Sequence, residues 1–209
     1  MRWVVKLGGS LNDDPSLPQW LSLLTQLGGG RVVLVCGGGR FADAVREHQA
    51  LWKYNDLAAH NMALLAMAQT AQFLRALNPA LQLVSSEDDI ARTLRMGKTA
   101  LWSPLELLCE QPDEGTNWSV TSDSIALALA QRLGAQYLVV VKSCTVGASM
   151  SLAQLGAAGI VDKGFAALAA QAAVAVQFLR NDELERMRGL LLGDAAARPA
   201  GVANNGHGT

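Results

Sequence analysis

The residues MRWVVKLGGS, positions 1–10, decide how the rest of the chain is read. Trp3 to Leu7 is a short apolar run with β-branched residues, which predicts a buried strand. Gly8 and Gly9 end it, and Ser10 follows as a helix N-cap or a phosphate donor. Lys6 is a cation inside that apolar strand, two residues before the glycine turn. A lysine there reaches past the strand end toward an anionic ligand, or it snorkels to solvent. Glycines let backbone N–H groups approach phosphate oxygens closely.

The pattern recurs. Arg31 to Cys36 is a second apolar run, followed by Gly37, Gly38, Gly39 and Arg40, and FADAVREHQAL after them reads as a helix. Strand, glycine turn and helix together form a common anion site, because a helix N-terminus carries partial positive charge. A lone glycine pair after a strand is ordinary turn punctuation. Two such turns within about 30 residues, one preceded by Lys6 and one followed by Arg40, point instead to a negatively charged ligand. Neither turn is a GxxxxGK[ST] loop, and neither is GxGxxG.

Composition narrows the function classes. The 209 residues are 50% apolar and 17% charged, with a net charge of −1, which fits a well-buried globular protein. No basic block offers a nucleic-acid face, and no run of apolar residues is long enough for a membrane span. The N-terminus enters a strand directly, without a signal-peptide layout, so a cytoplasmic location is expected. Cys36, Cys109 and Cys144 are widely spaced and read as free thiols. With His48, His60 and His207 they form no metal-ligand spacing, so no protein-bound metal site is expected.

Strands alternate with helices along the chain, which predicts a mainly parallel sheet with helices on both faces. A helix with Trp20, Leu21, Leu23, Leu24 and Leu27 on one face closes at Gly28–Gly30. Asn55 to Leu77 reads as a long helix, apolar on most sides and therefore buried. Leu81–Ser85, Lys98–Trp102, Tyr137–Val141 and Ala173–Leu179 read as strands. Helices are expected from Ser103, over SDSIALALAQRL, and over Asp182–Leu192. Residues 1–193 are read as one domain and the Ala/Gly/Asn-rich residues 194–209 as a disordered tail.

The segment NWSVTSDSIALALAQRLGA is the other informative stretch. Asn117, Ser119, Thr121 and Ser122 are small hydrogen-bonding residues at a loop-to-helix junction, and Asp123 sits in the first helical turn. That is either a plain capped helix or a site in which Asp123 orients a lysine or a metal–phosphate complex while Asn117 to Thr121 hold substrate. His60 shares a helical face with Leu64 and Met67. It is either a core histidine or a partner for an acceptor phosphate.

KLGGSL, a strand ending in GGG, and VTSDSIALALAQRLGA before a hydrophobic strand together resemble the amino-acid kinase superfamily, over residues 3 to about 180. The resemblance implies a three-layer αβα sandwich, with the acceptor half at about 1–115 and the nucleotide half at about 116–193. It implies ATP with Mg²⁺ and a small anionic acceptor as partners, and a homo-oligomer. Lys6 would contact the transferred phosphoryl group, Asp123 would hold the active-site lysine, and Gly8, Gly9 and Ser10 would cradle ATP phosphates. Gly37 to Gly39, Arg40, His60, Asn117, Ser119 and Thr121 would lie by the acceptor.

The chain departs from the family pattern twice. It lacks the DVTGGMxxK-like segment that supplies a second lysine, and Lys163 in GIVDKGF occupies a comparable region without the glycines. In place of TDVDG it has KSCTVG, where Lys142 would replace the missing cation and Ser143 would border the nucleotide. The short length, AAHNMALLAMAQTAQFL and LAQLGAAGIVDKGF resemble the small archaeal-type kinases of methanofuran synthesis. The expected activity is therefore ATP-dependent phosphoryl transfer to a small anionic acceptor such as a furan-methyl phosphate. The alternative is a relative that keeps the fold for binding or regulation and has lost the chemistry.

Overall fold

The computed structural model describes residues 1–113, 116–145 and 150–194. Six strands form one parallel sheet: β1 (Trp3–Leu7), β2 (Val32–Cys36), β3 (Gln82–Val84), β4 (Ala100–Trp102), β5 (Tyr137–Lys142) and β6 (Ala175–Arg180). Their spatial order is β3-β4-β2-β1-β5-β6. Eight α-helices are described: α1 (Leu17–Gly28), α2 (Gly39–Trp52), α3 (Asp56–Leu77), α4 (Glu87–Arg95), α5 (Ser122–Arg132), α6 (Leu152–Ala157), α7 (Phe165–Gln171) and α8 (Leu184–Leu192). Every residue of β1 and β2 is buried, because parallel strands covered on both faces must be apolar throughout. The expected αβα sandwich follows. One face of the sheet, with Val4, Val33, Trp102 and Val140, packs on α4, α5 and α7. The other, with Trp3, Val5, Leu34 and Val139, packs on α1 and α8.

Strand order sets where a ligand fits. From β1 the chain builds outward through β2 to β4 and β3, then returns to the other side of β1 with β5 and β6. The order therefore switches between β1 and β5. In open parallel sheets ligands bind beyond the carboxyl ends of the strands at such a switch. Lys6 and Lys142 lie on these two strands.

Several expectations change. Ser103 does not open an α-helix; a three-residue 3-10 turn, Leu105–Leu107, stands there, its N-cap Pro104 offering no side-chain bond. Ser10 is no N-cap, since it lies inside a 3-10 turn, Gly9–Asp13. α3 is not buried all round: Met62, Leu65, Phe73 and Leu77 form an exposed row on one side. α4 has no counterpart in the sequence reading, being strongly polar with only Ile90, Thr93 and Leu94 buried. Of the expected disordered tail, 194–209, Asp194 is described, its amide donating to the Gly189 carbonyl at 2.9 Å, and residues 195–209 lie outside the described residues. Among the described residues no helix is long and apolar enough to cross a membrane.

Candidate functional site

The two glycine turns meet backbone to backbone. A Cβ on Gly9 would stand 2.5 Å from the Gly39 amide nitrogen, and one on Gly37 would stand 2.7 Å from the Gly9 nitrogen. Only glycine permits that approach, so the turn after β1 lies directly on the N-terminus of α2. The Gly8 amide donates to the Val141 carbonyl and the Gly37 amide to the Leu7 carbonyl, both at 2.9 Å. These two N–H groups complete the sheet, so neither is free to donate to a phosphate. Ser10 and Ser143 join by their hydroxyls at 2.8 Å, tying the loop after β1 to the loop after β5.

At the switch point stand two buried charges, Lys6 and Asp123, and a third, Lys142, that is partly buried. Lys6 is 2% exposed and lies on the α5 face of β1. Its Nζ is 2.6 Å from Oδ1 of Asp123 as an ion pair, off the ideal hydrogen-bond direction. Lys142 Nζ donates to Oδ2 of the same carboxylate at 2.7 Å. Burial pushes the Asp123 carboxyl up, but the charges of Lys6 and Lys142 and the Lys142 hydrogen bond outweigh it and hold it below the usual carboxylate range. Burial lowers Lys142 from its ordinary value and Lys6 repels it further, with Asp123 offsetting only part. Two ammonium groups share one carboxylate, so the cluster carries net positive charge in a place that water barely reaches. Such an arrangement favours an anion. Asp123 thus meets both lysines from the first turn of α5, which is more than a plain capped helix requires. Its two oxygens each face one lysine ammonium group, at 2.6 and 2.7 Å.

Beside the cluster lies a cavity of about 480 Å³, a volume typical of small-molecule sites. Gly9 and Ser10, expected at the nucleotide phosphates, line it together with Gly37, Gly38, Gly39, Arg40, His60, Asn117 and Thr121, expected at the acceptor. Ser122, one residue before Asp123, also lines it and links cavity to cluster. α2 starts at the cavity with no side-chain cap, leaving its N-terminal amides to a ligand. Arg40 gives its Nε to Asp13 Oδ2 at 2.8 Å and is 81% exposed, so it reaches the cavity mouth with part of its fork already used. His60 is half-buried; burial lowers its pKa, against the nearby charge of Asp113, so the imidazole is neutral near pH 7.

Two predicted residues fall elsewhere. Ser119 is exposed and outside the cavity, its amide turned to the Asn117 side chain at 2.7 Å and its carbonyl accepting from Gly164 at 2.8 Å. Lys163 is exposed and outside both the cavity and the charge cluster; its neighbour Asp162 points inward instead. Lining residues that the sequence reading missed include Asp43, Arg46 and Trp118. Arg46 sits 4.4 Å over the Trp118 ring, and the indole N–H donates to Gln49 at 2.6 Å. Arg40, Asp43 and Arg46 recur every three residues on one helix, which was the available signal. Cys36 is fully buried, and burial pushes its thiol up to about 12, so it is inert.

Over 138 residues, 66% of this chain, the sequence is 24% identical to [5-(aminomethyl)furan-3-yl]methyl phosphate kinase of Methanocaldococcus jannaschii. The match spans 63% of that relative, less than two thirds of its length. A uridylate kinase from Archaeoglobus fulgidus superposes with a TM-score of 0.68 at 14% identity, covering 93% of this chain and 97% of that one. A UMP kinase from Bacillus anthracis gives 0.69 at 17% identity, covering 92% of each. These structures share the fold. The sequence model of the amino acid kinase family matches residues 1–144, which takes in β1, both glycine turns, Asp123 and Lys142, and the chain belongs to that family.

Proposed function

We propose that this chain is an ATP-dependent kinase acting on a small acceptor that already carries a phosphate. The observation that carries the reading is the Lys6–Asp123–Lys142 cluster, net positive and buried, at the switch point beside the cavity. Phosphoryl transfer asks little covalent chemistry of a protein; it asks for cations and N–H donors around spreading negative charge. Lys6 and Lys142 supply the cations, and Asp123 fixes both. The missing second-lysine motif and KSCTVG in place of TDVDG favour a non-catalytic relative; Lys142 on Asp123 offers a second cation and supports the catalytic reading.

ATP would supply the phosphoryl group and Mg²⁺ would offset the charge on its phosphates. The residues present fit this, because the net positive cluster calls for an anion. A Mg²⁺ held mainly by phosphates needs no all-protein cage. The nucleotide is assigned to the side of β5 and Ser143, and the acceptor to the cavity. There the start of α2, with Gly38, Gly39 and Arg40, holds the acceptor's phosphate, and His60, Asn117 and Thr121 contact the rest. The archaeal relative's name supports a furan-methyl phosphate as acceptor. Self-association is part of the reading, supported by the exposed apolar row on α3.

The test is turnover with Mg-ATP on a panel of furan-methyl phosphate, isopentenyl phosphate, uridylate, acetylglutamate and aspartate. A diphosphate product from the furan compound is expected. Turnover of an amino acid alone overturns the phosphate-bearing acceptor, and failure to bind nucleotide at all overturns the kinase.

A further inference from the structure

Asp162 is the most heavily engaged carboxylate among the described residues, and nothing above gives it a role. Its Oδ2 accepts from the Thr121 amide at 2.9 Å, the Thr121 hydroxyl at 2.9 Å and the Ser124 amide at 3.1 Å. Its Oδ1 accepts from the Ser124 hydroxyl and from the Phe165 amide at 3.0 Å. The same loop is pinned a second time, where the Gly164 amide donates to the Ser119 carbonyl at 2.8 Å.

These bonds do what a local cap would do. Thr121, the N-cap of α5, makes no side-chain capping bond, and Gly164, the N-cap of α7, makes none either. One carboxylate, 38 residues from Ser124 in sequence, closes the first turn of α5 and that of α7 together. A negative charge there is favoured by both helix dipoles. The first turn of α5 is also where Asp123 sits, between Thr121 and Ser124, holding Lys6 and Lys142.

We infer that Asp162 is a positioning residue: by clamping Thr121 and Ser124 on either side of Asp123, it fixes the carboxylate that aims the two lysines. It also occupies the Thr121 and Ser124 amides at the start of α5. The inference rests on the proposed kinase reading for its kinetic consequence, but its structural consequence is read separately.

The experiment uses the full chain with Asp162→Asn, Ser124→Ala, Asp123→Asn and the double variant Asp123→Asn/Asp162→Asn. With the acceptor that the panel identifies, Asp162→Asn should lower kcat by about tenfold while the KM for ATP changes less than about twofold, since the loss is one of aim rather than of binding. Ser124→Ala, which removes one bond and is the milder change, should move kcat the same way by less. In the Asp123→Asn background, Asp162→Asn should cost less than about twofold, because the group it positions is gone. An equal loss in both backgrounds, or wild-type kcat in Asp162→Asn, overturns the inference. Amide exchange is the second readout: Asp162→Asn should speed exchange at Ser124 and Phe165, and unchanged protection there overturns the inference even where no acceptor is turned over. Absence of turnover by the wild-type chain counts against the kinase reading alone.

Discussion

Lys6 and Lys142 stand on neighbouring parallel strands and hold opposite oxygens of one carboxylate. Val140 is the register partner of Lys6, and Lys142 lies two residues beyond it, so both side chains leave the same face of the sheet. Asp123 comes to meet them from the first turn of α5. The two lysines thus differ in depth, with side chains 3% and 13% exposed. The deeper is fixed by the sheet, and the shallower sits where β5 ends.

Replacing Lys6 by Ala should leave the fold intact, because Asp123 keeps its bond to Lys142. Transfer should drop by ~10²–10³-fold, the usual loss when one electrostatic contact to a transition state is removed. Circular dichroism checks the fold and steady-state turnover the chemistry. Wild-type turnover would show that Lys6 only balances Asp123.

Asp123→Asn is a stability prediction as much as a kinetic one. It leaves two buried ammonium groups with no counter-charge, a change that costs about 3–5 kcal/mol when one partner of a buried pair is removed. Adding Lys142→Met should recover much of the melting temperature and none of the activity. If the single variant melts like wild type, Asp123 is merely a first-turn residue of α5, the plainer of the two sequence readings.

The parts of this arrangement that the sequence makes visible are those written as local pattern. β1, β2 and β5 are apolar without interruption because both sheet faces are covered, and Lys6 stands out against that background. Lys142 is equally visible at the end of YLVVVK, but its partner is 19 residues away, and only the fold brings them together. Asp162 is less visible still. Its bonds reach back 38 to 41 residues, and the sequence draws attention to its exposed neighbour Lys163 instead. α4 is hidden for another reason: its nine residues bury three side chains, too few for a periodic apolar signal, although Ser86 caps it and acidic residues fill its first turn.

The alkaline limb of the kcat profile should lie below the ordinary lysine value of about 10.4. Burial and the Lys6 charge make the Lys142 proton easier to lose, so its cation, and with it the rate, disappears as pH rises through that lowered value. Lys142→Arg should push the limb upward, since a guanidinium keeps its proton throughout. Stability moves the other way. Between the lowered folded value and about 10.4 the unfolded chain binds more protons, so this group's contribution to stability rises with pH. A limb unmoved by Lys142→Arg would assign the titration to another group.

Gly9→Ala should destabilise the chain by about 1–3 kcal/mol, the range for forcing atoms into filled space. Its methyl group would meet the Gly39 backbone at 2.5 Å, and neither turn can retreat without pulling on the sheet. Gly156→Ala is the control: it lies inside α6, with its nearest neighbour 3.9 Å from the added carbon. That change should be neutral or gain a few tenths of a kcal/mol from helix propensity. Thermal unfolding of both variants decides, and equal melting temperatures would remove the backbone contact as the reason for glycine at position 9.

Arg40→Lys should raise the acceptor KM and leave the ATP KM unchanged. Arg40 is the second residue of α2, at the cavity mouth, and its Nε is engaged by Asp13 while the rest of the guanidinium faces the cavity side. Lysine keeps the charge but can serve either Asp13 or an acceptor phosphate, since it lacks a planar fork that serves two partners at once. The pair is exposed at 81% and 53%, so its loss should barely shift the melting temperature. A rise in acceptor KM of about tenfold corresponds to about 1.4 kcal/mol, the scale of one charge-assisted bond. Equal rises in both KM values would place the nucleotide at this end of the site as well, and would reverse the assignment of the two halves.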